Sequence, residues 1–271
     1  MPFTLESKTA LVTGAGRGIG QAIAQKLAEY GANVMVNDLD AALAAETAAT
    51  LPNAASFAGD VTDPALPQQL VNATLARFGS IDIIVNNAGY TWDNVIQKTT
   101  DEQFQAMLDI HMVAPFRVLR AASTYIREAA KKEIAEGKRV MRKVVNITSV
   151  SGVDGIAGQA GYGSGKSGIN GLTKVMAKEW GRYNVNVNSV GFGFIETRLV
   201  QPLGEGSEID MKGKKIKVGI HQATIDAVKT LCPLGRAGTV EEAAGPVLFF
   251  CSSLSDYVSG EILIVSGGAR S

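Results

Sequence analysis

Tyr162 and Lys166 lie four residues apart, a spacing that places a phenol and an ammonium together on one face of a helix. A tyrosine with its usual pKa of about 10 is a poor acid or base at neutral pH, unless a neighbouring cation stabilises its phenolate. Ser149 stands 13 residues before Tyr162, and its hydroxyl could hydrogen-bond a substrate carbonyl. These three side chains predict proton transfer at a carbonyl or hydroxyl oxygen. The Tyr-x-x-x-Lys pair alone is common on surface helices, so the prediction depends on the surrounding sequence.

A glycine-rich segment at residues 13–20, TGAGRGIG, lies between an apolar run and a helical pattern. Glycine lets the backbone turn tightly and approach a pyrophosphate, whose negative charge suits the N-terminus of a helix. Such a cluster is a weak signal alone, but its position between strand and helix strengthens it. It predicts a dinucleotide site whose first contacts are Gly14, Arg17, Gly18, Ile19 and Gly20.

Asp38 and Arg17 give opposite indications about the dinucleotide. Asp38 ends the next apolar run, where a carboxylate can accept hydrogen bonds from the adenosine ribose hydroxyls. It would also repel a 2′-phosphate, by about 4 kcal/mol for two charges about 4 Å apart at an effective dielectric constant of about 20. Arg17 could instead hold that phosphate, and Asp38 could be a simple turn residue. We expect NAD, with NADP the less favoured cofactor.

Short apolar runs rich in valine and isoleucine recur along the chain, with helical stretches between them. They are Thr9–Val12, Val34–Val36, Ile81–Val85, Val144–Ile147, Val185–Val190 and Ile262–Val265, with Ala54–Phe57 as a weaker candidate. Runs that are apolar on both faces predict strands buried in a parallel sheet. The alternation predicts one doubly wound α/β domain of the Rossmann type over residues 1–271, with about seven mostly parallel strands and helices on both faces. The candidate residues would then share the carboxyl edge of the sheet.

Composition restricts the partners and the location. The chain has 26 Lys plus Arg and 26 Asp plus Glu, so it has no overall charge to attract nucleic acid or an anionic membrane. No apolar run approaches the roughly 20 residues that span a bilayer, and the first residues lack the pattern of a signal peptide. The two cysteines are too few for a disulfide framework, and no Cys or His stands at a metal-ligand spacing from His221. We expect a cytoplasmic protein without a catalytic metal, a nucleic-acid partner or a membrane partner.

The motifs together resemble the short-chain dehydrogenase/reductase family, from about Leu5 to Gly268. The Gly14-x3-Gly18-x-Gly20 turn, the Asn-Asn-Ala-Gly motif at 86–89, Ser149 and Tyr162-x3-Lys166 occur in the family's order and spacing. Residues 158–162 and 193–197 are most similar to the 3-oxoacyl-acyl-carrier-protein reductase group. The resemblance implies an NAD(P)-dependent enzyme that interconverts a ketone and a secondary alcohol, with 3-oxoacyl and 3-hydroxyacyl thioesters as candidate substrates.

The resemblance also implies a role for each matching residue. Tyr162 would be the general acid or base, and Ser149 would orient the substrate oxygen. Lys166 would lower the pKa of Tyr162 and bind the nicotinamide ribose. Further cofactor contacts would be Asp60, Val61, Asn87, Ala88, Gly89, Ile195 and Thr197. The family also implies a homotetramer.

Two residues depart from the family pattern. His111 stands where the family usually has an asparagine that holds a water leading from the lysine to solvent. Its imidazole is a candidate catalytic residue as a substitute relay; the alternatives are a histidine that only fills and caps this space, or a loss of turnover. Phe192 stands where a proline typically precedes the glycine, which removes a fixed φ angle beside the nicotinamide.

A long polar segment, 201–222, shows no clear periodicity and predicts a lid within a substrate loop at about 194–222. Lys212, Lys214, Lys215 and Lys217 could attract the phosphate of an acyl carrier protein or coenzyme A, or could simply keep the loop solvated.

Two other functions stay open. A long loop could cover the ring of a cyclic or sterol-like alcohol, and the changes at His111 and Phe192 would suit a nucleotide-binding partner subunit with little turnover.

Overall fold

The computed structural model describes residues 3–197, 208–211, 214–217, 219, 223, 227 and 230–269. Its strands are β1 (Thr9–Thr13), β2 (Asn33–Asp38), β3 (Ala54–Ala58), β4 (Ile83–Asn86), β5 (Arg142–Ser149), β6 (Val185–Phe192), β7 (Glu208–Met211), β8 (Lys214–Lys217) and β9 (Ile262–Val265). Seven of them form a parallel sheet in the order β3-β2-β1-β4-β5-β6-β9. All seven apolar runs predicted as strands are confirmed.

Helices cover both faces of this sheet. They are α1 (Gly18–Glu29), α2 (Ala41–Ala49), α3 (Leu66–Phe78), α4 (Asp101–Leu108), α5 (Ala114–Ala135), α6 (Ala160–Trp180) and α7 (Val240–Cys251), and a π-helical turn, Asp109–Val113, joins α4 to α5. Thr100 and Thr239 begin α4 and α7 with capping boxes. Within the described ranges, none of these helices is both long and apolar enough to cross a membrane.

The alternation of side chains along each strand divides the core into two layers. In β1, Ala10 and Val12 pack in the layer that contains α1 and α7, whereas Leu11 packs in the layer that contains α3 and α5. All three side chains are completely buried. Helices cover both faces of the central strands, so their side chains are buried on both sides and the runs do not alternate between apolar and polar faces; the polar side chains within these strands are buried too. The predicted doubly wound fold is therefore confirmed.

The strand order reverses between β1 and β4, which are neighbours at the centre of the sheet and pair with each other. Val12 of β1 is in register with Val36 of β2 on one side and with Val85 of β4 on the other. The connections leaving β1 and β4 therefore diverge and open a crevice at their carboxyl ends. Ligands of open α/β sheets bind at such a switch point.

A chain of buried polar side chains links β4, β5, α6 and β6 below this crevice. Asn86 Nδ2 donates to Asn146 Oδ1 at 2.8 Å, and Asn146 Nδ2 donates to Thr173 Oγ1 at 2.9 Å. Since Thr173 uses its one hydroxyl proton toward the Ile169 carbonyl, Ser189 donates to Thr173 at 2.7 Å. Asn146, Thr173 and Ser189 are completely buried. The chain fixes α6 at a defined position over the sheet.

Within the segment 201–222, which showed no clear periodicity, residues 208–211 and 214–217 are β7 and β8, an antiparallel pair with Ile209 opposite Ile216. The lid function of this segment stays a prediction. Each strand has only four residues, so its alternation is too short to stand out in a polar, glycine-rich sequence. Lys212, the side chains of Lys214, Lys215 and Lys217, and residue His221 lie outside the described part of the chain, as does most of the remaining segment.

Replacing Asn146 with Leu should lower the free energy of unfolding by about 2–3 kcal/mol, because the buried Asn86 amide would lose its acceptor. Urea unfolding at fixed protein concentration measures the change. The control is Asn72→Leu, the same substitution at an exposed site on α3, which should stay within about 0.5 kcal/mol. Equal effects of the two substitutions would show that the buried chain does not stabilise the fold.

Candidate active site

A cavity of about 850 Å³ lies at the carboxyl edge of the parallel sheet. Every residue predicted from the sequence to belong to the site lines it: Gly14, Arg17, Gly18, Ile19, Gly20, Asp38, Asp60, Val61, Asn87, Ala88, Gly89, His111, Ser149, Tyr162, Lys166, Ile195 and Thr197. Among the described residues, no group of His, Cys, Asp or Glu side chains is arranged to hold a metal ion. The fold thus brings together residues that are up to 183 positions apart, from Gly14 to Thr197.

Ser149, Tyr162 and Lys166 meet where β5 ends and α6 begins. Ser149 is the last residue of β5, and it lies close enough to Tyr162, in the first turn of α6, for its hydroxyl to oppose the rise in the pKa of the phenol that burial causes. Ser149 Oγ also accepts from the backbone N–H of Ser151 at 3.2 Å, which fixes its rotamer. Lys166 Nζ lies 5.7 Å from the centre of the Tyr162 ring. The arrangement holds a phenol and a hydroxyl ready to hydrogen-bond one substrate oxygen.

Lys166 is anchored beneath Tyr162 by two hydrogen bonds to β5. Its Nζ donates to the Ile147 carbonyl at 2.7 Å, and its own carbonyl accepts from Thr148 Oγ1 at 2.9 Å. Only 5% of the residue is exposed, and burial lowers the pKa of the ammonium to about 7. This amine can therefore gain or lose a proton close to neutral pH.

The expected lowering of the Tyr162 pKa does not come from the protein's own side chains. Burial raises the pKa of Tyr162 to about 12, and the hydrogen bond from Ser149 opposes this rise only in part. The sequence placed a lysine near the phenol correctly but gave no measure of how strongly both would be desolvated. A phenol with this pKa is fully protonated at neutral pH.

His111 contacts Tyr162 rather than Lys166. The π-helical turn carries its buried ring against Tyr162, edge to face, with ring centres 4.9 Å apart. Its Nε2 lies 2.8 Å from the Tyr90 carbonyl, which can only accept, so Nε2 carries the proton. Nδ1 has no hydrogen-bond partner among the described residues. Burial, followed by the charge of Lys166, lowers the pKa of His111 well below its usual value, so the imidazole is neutral.

The glycine turn has the shape that a pyrophosphate requires. A Cβ on Gly20 would lie 2.1 Å from the Gly14 carbonyl oxygen, so only glycine permits this packing of turn against helix. Asn87 Nδ2 donates to the same oxygen at 2.9 Å and closes the turn from the β4 side. Above Gly18 the space is open, because a Cβ there would meet only Thr197 Cγ2, at 3.9 Å. No side chain caps the first turn of α1, which leaves its backbone N–H groups free for an anion.

Asp38 and Arg17 take different positions at this end of the cavity. Asp38 Oδ2 accepts from the Gly16 N–H at 2.8 Å, and Oδ1 accepts from the Asp40 N–H at 3.1 Å. The carboxylate is therefore fixed at the end of β2 and lines the cavity. Arg17 extends toward Asp40, with Nη2 3.4 Å from Oδ2, and about two-fifths of its side chain is exposed.

Hydrogen bonds hold the other walls in place. Asp60 Oδ1 accepts from the backbone and the hydroxyl of Thr62, at 2.8 and 2.7 Å. Beyond β6, Glu196 N–H donates to the Gly238 carbonyl at 2.8 Å, and Gly238 N–H donates to the Phe194 carbonyl at 2.9 Å. These bonds fix the segment that contains Ile195. The segment has a defined path although Phe192 replaces the expected proline.

A further part of the cavity, its outer wall, was not predicted from the sequence. It comprises Tyr90, Thr91, Asp93, Val150, Ile156 and Gln159, from the loops that follow β4 and β5. Asp93 Oδ2 accepts from Gln159 Nε2 at 2.6 Å. The sequence signal for these residues was their position in the chain, because both loops begin at the carboxyl end of a strand that leads to a candidate site residue.

Comparisons with known proteins agree with this architecture. The family model described as enoyl-(acyl carrier protein) reductase matches residues 14–270. The chain is 36% identical over 267 residues to the 3-oxoacyl-(acyl-carrier-protein) reductase FabG of Vibrio cholerae, covering 98% of both proteins. It is 34% identical over 279 residues to the 3alpha-hydroxysteroid dehydrogenase of Mediterraneibacter gnavus, covering 100% of both. The crystal structure of a gluconate 5-dehydrogenase from Burkholderia cenocepacia, in complex with NADP and tartrate, has a TM-score of 0.83 at 30% identity and covers 98% of this chain and 96% of that one.

These matches extend over nearly the whole chain, and they include proteins named for three different alcohol or ketone substrates. What they share is the fold and the type of reaction rather than one substrate. The chain belongs to the short-chain dehydrogenase/reductase family, and it is an NAD(P)-dependent oxidoreductase that acts on CH–OH and C=O groups.

Proposed function

We propose that this protein interconverts a ketone and a secondary alcohol with NAD(H), with Tyr162 as the general acid or base. The placement of Ser149, Tyr162 and Lys166 together along one cavity, where β5 ends and α6 begins, supports the proposal most strongly. In the direction of reduction, Ser149 orients the carbonyl oxygen while Tyr162 donates a proton to it. A phenol with a pKa of about 12 starts this step in the required protonation state.

The residues around the glycine turn fit the cofactor that the family uses. The uncapped N-terminus of α1 and the open space above Gly18 would hold the pyrophosphate, and Asp38 would hold the adenosine ribose. Asp60, Val61, Asn87, Ala88, Gly89, Ile195 and Thr197 would complete the contacts, and Lys166 would bind the nicotinamide ribose. The bound nicotinamide supplies the hydride chemistry, and the protein's side chains supply orientation and the proton.

Thioesters of 3-oxo and 3-hydroxy acids, carried on acyl carrier protein or coenzyme A, are the substrates that we favour. The similarity to relatives named 3-oxoacyl-(acyl-carrier-protein) reductase supports this choice. A cyclic or sterol-like alcohol is the second candidate, favoured by the relative named 3alpha-hydroxysteroid dehydrogenase. A subunit with little turnover is disfavoured, because Ser149, Tyr162 and Lys166 are all present around one cavity. A homotetramer and a cytoplasmic location stay predictions.

Replacing Tyr162 with Phe should lower kcat by about 10²- to 10⁴-fold, because it removes the proton donor and little else. NADH oxidation is followed with a panel of 3-oxoacyl thioesters and 3-ketosteroids, which also separates the two substrate classes. NADH binding, measured by fluorescence titration, should change little. Tyr257→Phe is the matched control, since Tyr257 is fully exposed on the surface. Turnover retained by the Tyr162 variant would refute the assigned role.

Replacing Asp38 with Asn should tighten NADPH binding by at least about tenfold relative to NADH, because the amide does not repel a 2′-phosphate. The amide oxygen can still accept from the Gly16 N–H, which keeps the contact with the glycine turn, while the Asp40 N–H loses its acceptor. Parallel titrations with NADH and NADPH measure the ratio for the wild type, the variant and the control Asp63→Asn, which lies outside the cavity. A wild type that prefers NADPH would contradict the choice of NAD; one relative was solved in complex with NADP.

We propose that His111 is a positioning residue rather than a proton relay. Its one protonated nitrogen is used by the Tyr90 carbonyl, and its ring supports Tyr162. No described hydrogen bond connects it to Lys166, whose Nζ donates to Ile147. The neutral imidazole, fixed by its hydrogen bond to the Tyr90 carbonyl, keeps the loop after β4 and the Tyr162 ring in a fixed relative position. This role corresponds to the alternative in which His111 only fills and caps the space at this position.

The pH dependence of stability tests the neutral state of His111. A histidine whose folded pKa is lowered stays neutral in the folded protein, while the unfolded chain binds a proton below about pH 6.5. Wild-type stability should therefore fall, relative to His111→Asn, by about 1.4 kcal/mol per pH unit below that point. Both proteins keep His221, so it cancels in the comparison. Parallel curves from urea unfolding between pH 4.5 and 8 would contradict a neutral buried imidazole.

A further inference from the structure

Asp93 occupies a fixed place at the outer wall of the cavity. Its carboxylate accepts from Gln159 Nε2 at 2.6 Å, and Gln159 lies three residues before Tyr162. The backbone beside it is also fixed, because Asn94 N–H donates to the Gly158 carbonyl at 3.0 Å. Asn94 and Gln159 form a parallel bridge between the two loops. The carboxylate is thus held near the catalytic phenol by both a side-chain and a main-chain contact.

The charges that line the cavity are unevenly distributed. Those of Arg17, Asp38 and Asp40 lie around the glycine turn and the end of β2, and Asp60 lies just after β3, at the end proposed for adenosine. Near Tyr162 the charged candidates are Asp93 and Lys166. Lys166 is buried against the Ile147 carbonyl, and within the described ranges no cation lies at ion-pair distance from Asp93. The Gln159 amide is uncharged, so it orients the carboxylate without neutralising it.

Asp93 is exposed at the cavity wall and lies close enough to Tyr162 for its charge to contribute, after burial, to the raised pKa of the phenol. A negative charge on the phenol oxygen is therefore repelled by Asp93. A substrate oxygen bound to Ser149 and Tyr162 occupies the same region. A carboxylate one or two carbons from the reacting carbonyl would be brought into the same unfavourable potential.

We propose that Asp93 is a specificity-determining residue, which selects carbonyl compounds without a negative charge beside the reacting carbon and disfavours free 2-oxo and 3-oxo acids. The inference rests on the proposed function and refines its substrate class. Esters, thioesters and simple ketones would enter, whereas the corresponding free acids would be repelled. Membership of the family does not decide this, since one relative is named for gluconate, a carboxylate.

The test uses two probes that differ in charge at the same 3-oxo skeleton, ethyl acetoacetate and acetoacetate. The measured quantity is the ratio of kcat/KM for the ester to kcat/KM for the acid, with NADH, in the wild type, Asp93→Asn and Asp93→Glu. Asp93→Asn should lower this ratio roughly tenfold, because it removes one like-charge repulsion and keeps an acceptor for Gln159. Asp93→Glu should keep the ratio high. Added salt should lower the ratio in the wild type and not in Asp93→Asn.

Asp154→Asn is the matched control, since Asp154 is exposed on the loop after β5 and lies outside the cavity. An unchanged ratio in Asp93→Asn, or an equal change in Asp154→Asn, would overturn the proposal. If the wild type reduces neither compound, the proposed function has failed for 3-oxo substrates, and binding of the same two probes to the NADH-loaded protein by calorimetry decides the role of Asp93. Equal affinity of the wild type for ester and acid would then overturn it, and tighter binding of the ester that is lost in Asp93→Asn would support it.

Discussion

The burial of Lys166 is the constraint on which the rest of the site depends. An ammonium removed from water is unfavourable unless it is hydrogen-bonded, and here one backbone carbonyl, that of Ile147, accepts from it at 2.7 Å. Such a group stays in place only if the surrounding structure allows no alternative. The contact between Thr148 and the Lys166 carbonyl and the buried chain through Asn146 and Thr173 supply that rigidity. Stability elsewhere in the sheet therefore maintains an amine with a pKa of about 7 beside the catalytic phenol.

The topology of the sheet explains how residues far apart in sequence reach one cavity. Parallel strands end at the same edge of the sheet. Asp38 and Ser149 end β2 and β5, and Asn87 follows β4, so the three residues reach one cavity without needing direct contacts to one another. The reversal of strand order between β1 and β4 opens the space that these ends surround. Loops then refine the cavity, and those after β4 and β5 are joined to each other through Asn94 and Gly158.

Runs rich in valine and isoleucine predicted every strand of the main sheet, because the central strands are buried on both faces; the edge strands β3 and β9 are only partly buried. Glycine spacing predicted the turn and the Tyr162–Lys166 interval predicted that pair, since both depend on local backbone geometry, whereas Asp60, Val61, Ile195 and Thr197 came from the family resemblance. The π-helical turn, the contact of His111 with Tyr90 and the wall at Asp93 arise from tertiary packing, for which the local sequence gives no period. The rise of the Tyr162 pKa likewise follows from burial, which spacing cannot measure. The pair β7–β8 was missed because four-residue strands show too little alternation.

The substitution at His111 shows how the chain departs from its family and keeps the catalytic group. An imidazole is larger than an amide, and Gly89 provides the room, because a Cβ there would lie 2.5 Å from His111 Cε1. Because the ring is neutral, it adds no positive charge near Lys166. A charged imidazole there would lower the pKa of Lys166 further. Its bond to Tyr90 fixes the loop that leads to Asp93, so one buried ring connects the position of Tyr162 to the cavity wall at Asp93. The geometry at Tyr162 and the substrate selection proposed for Asp93 are therefore linked through the same π-helical turn.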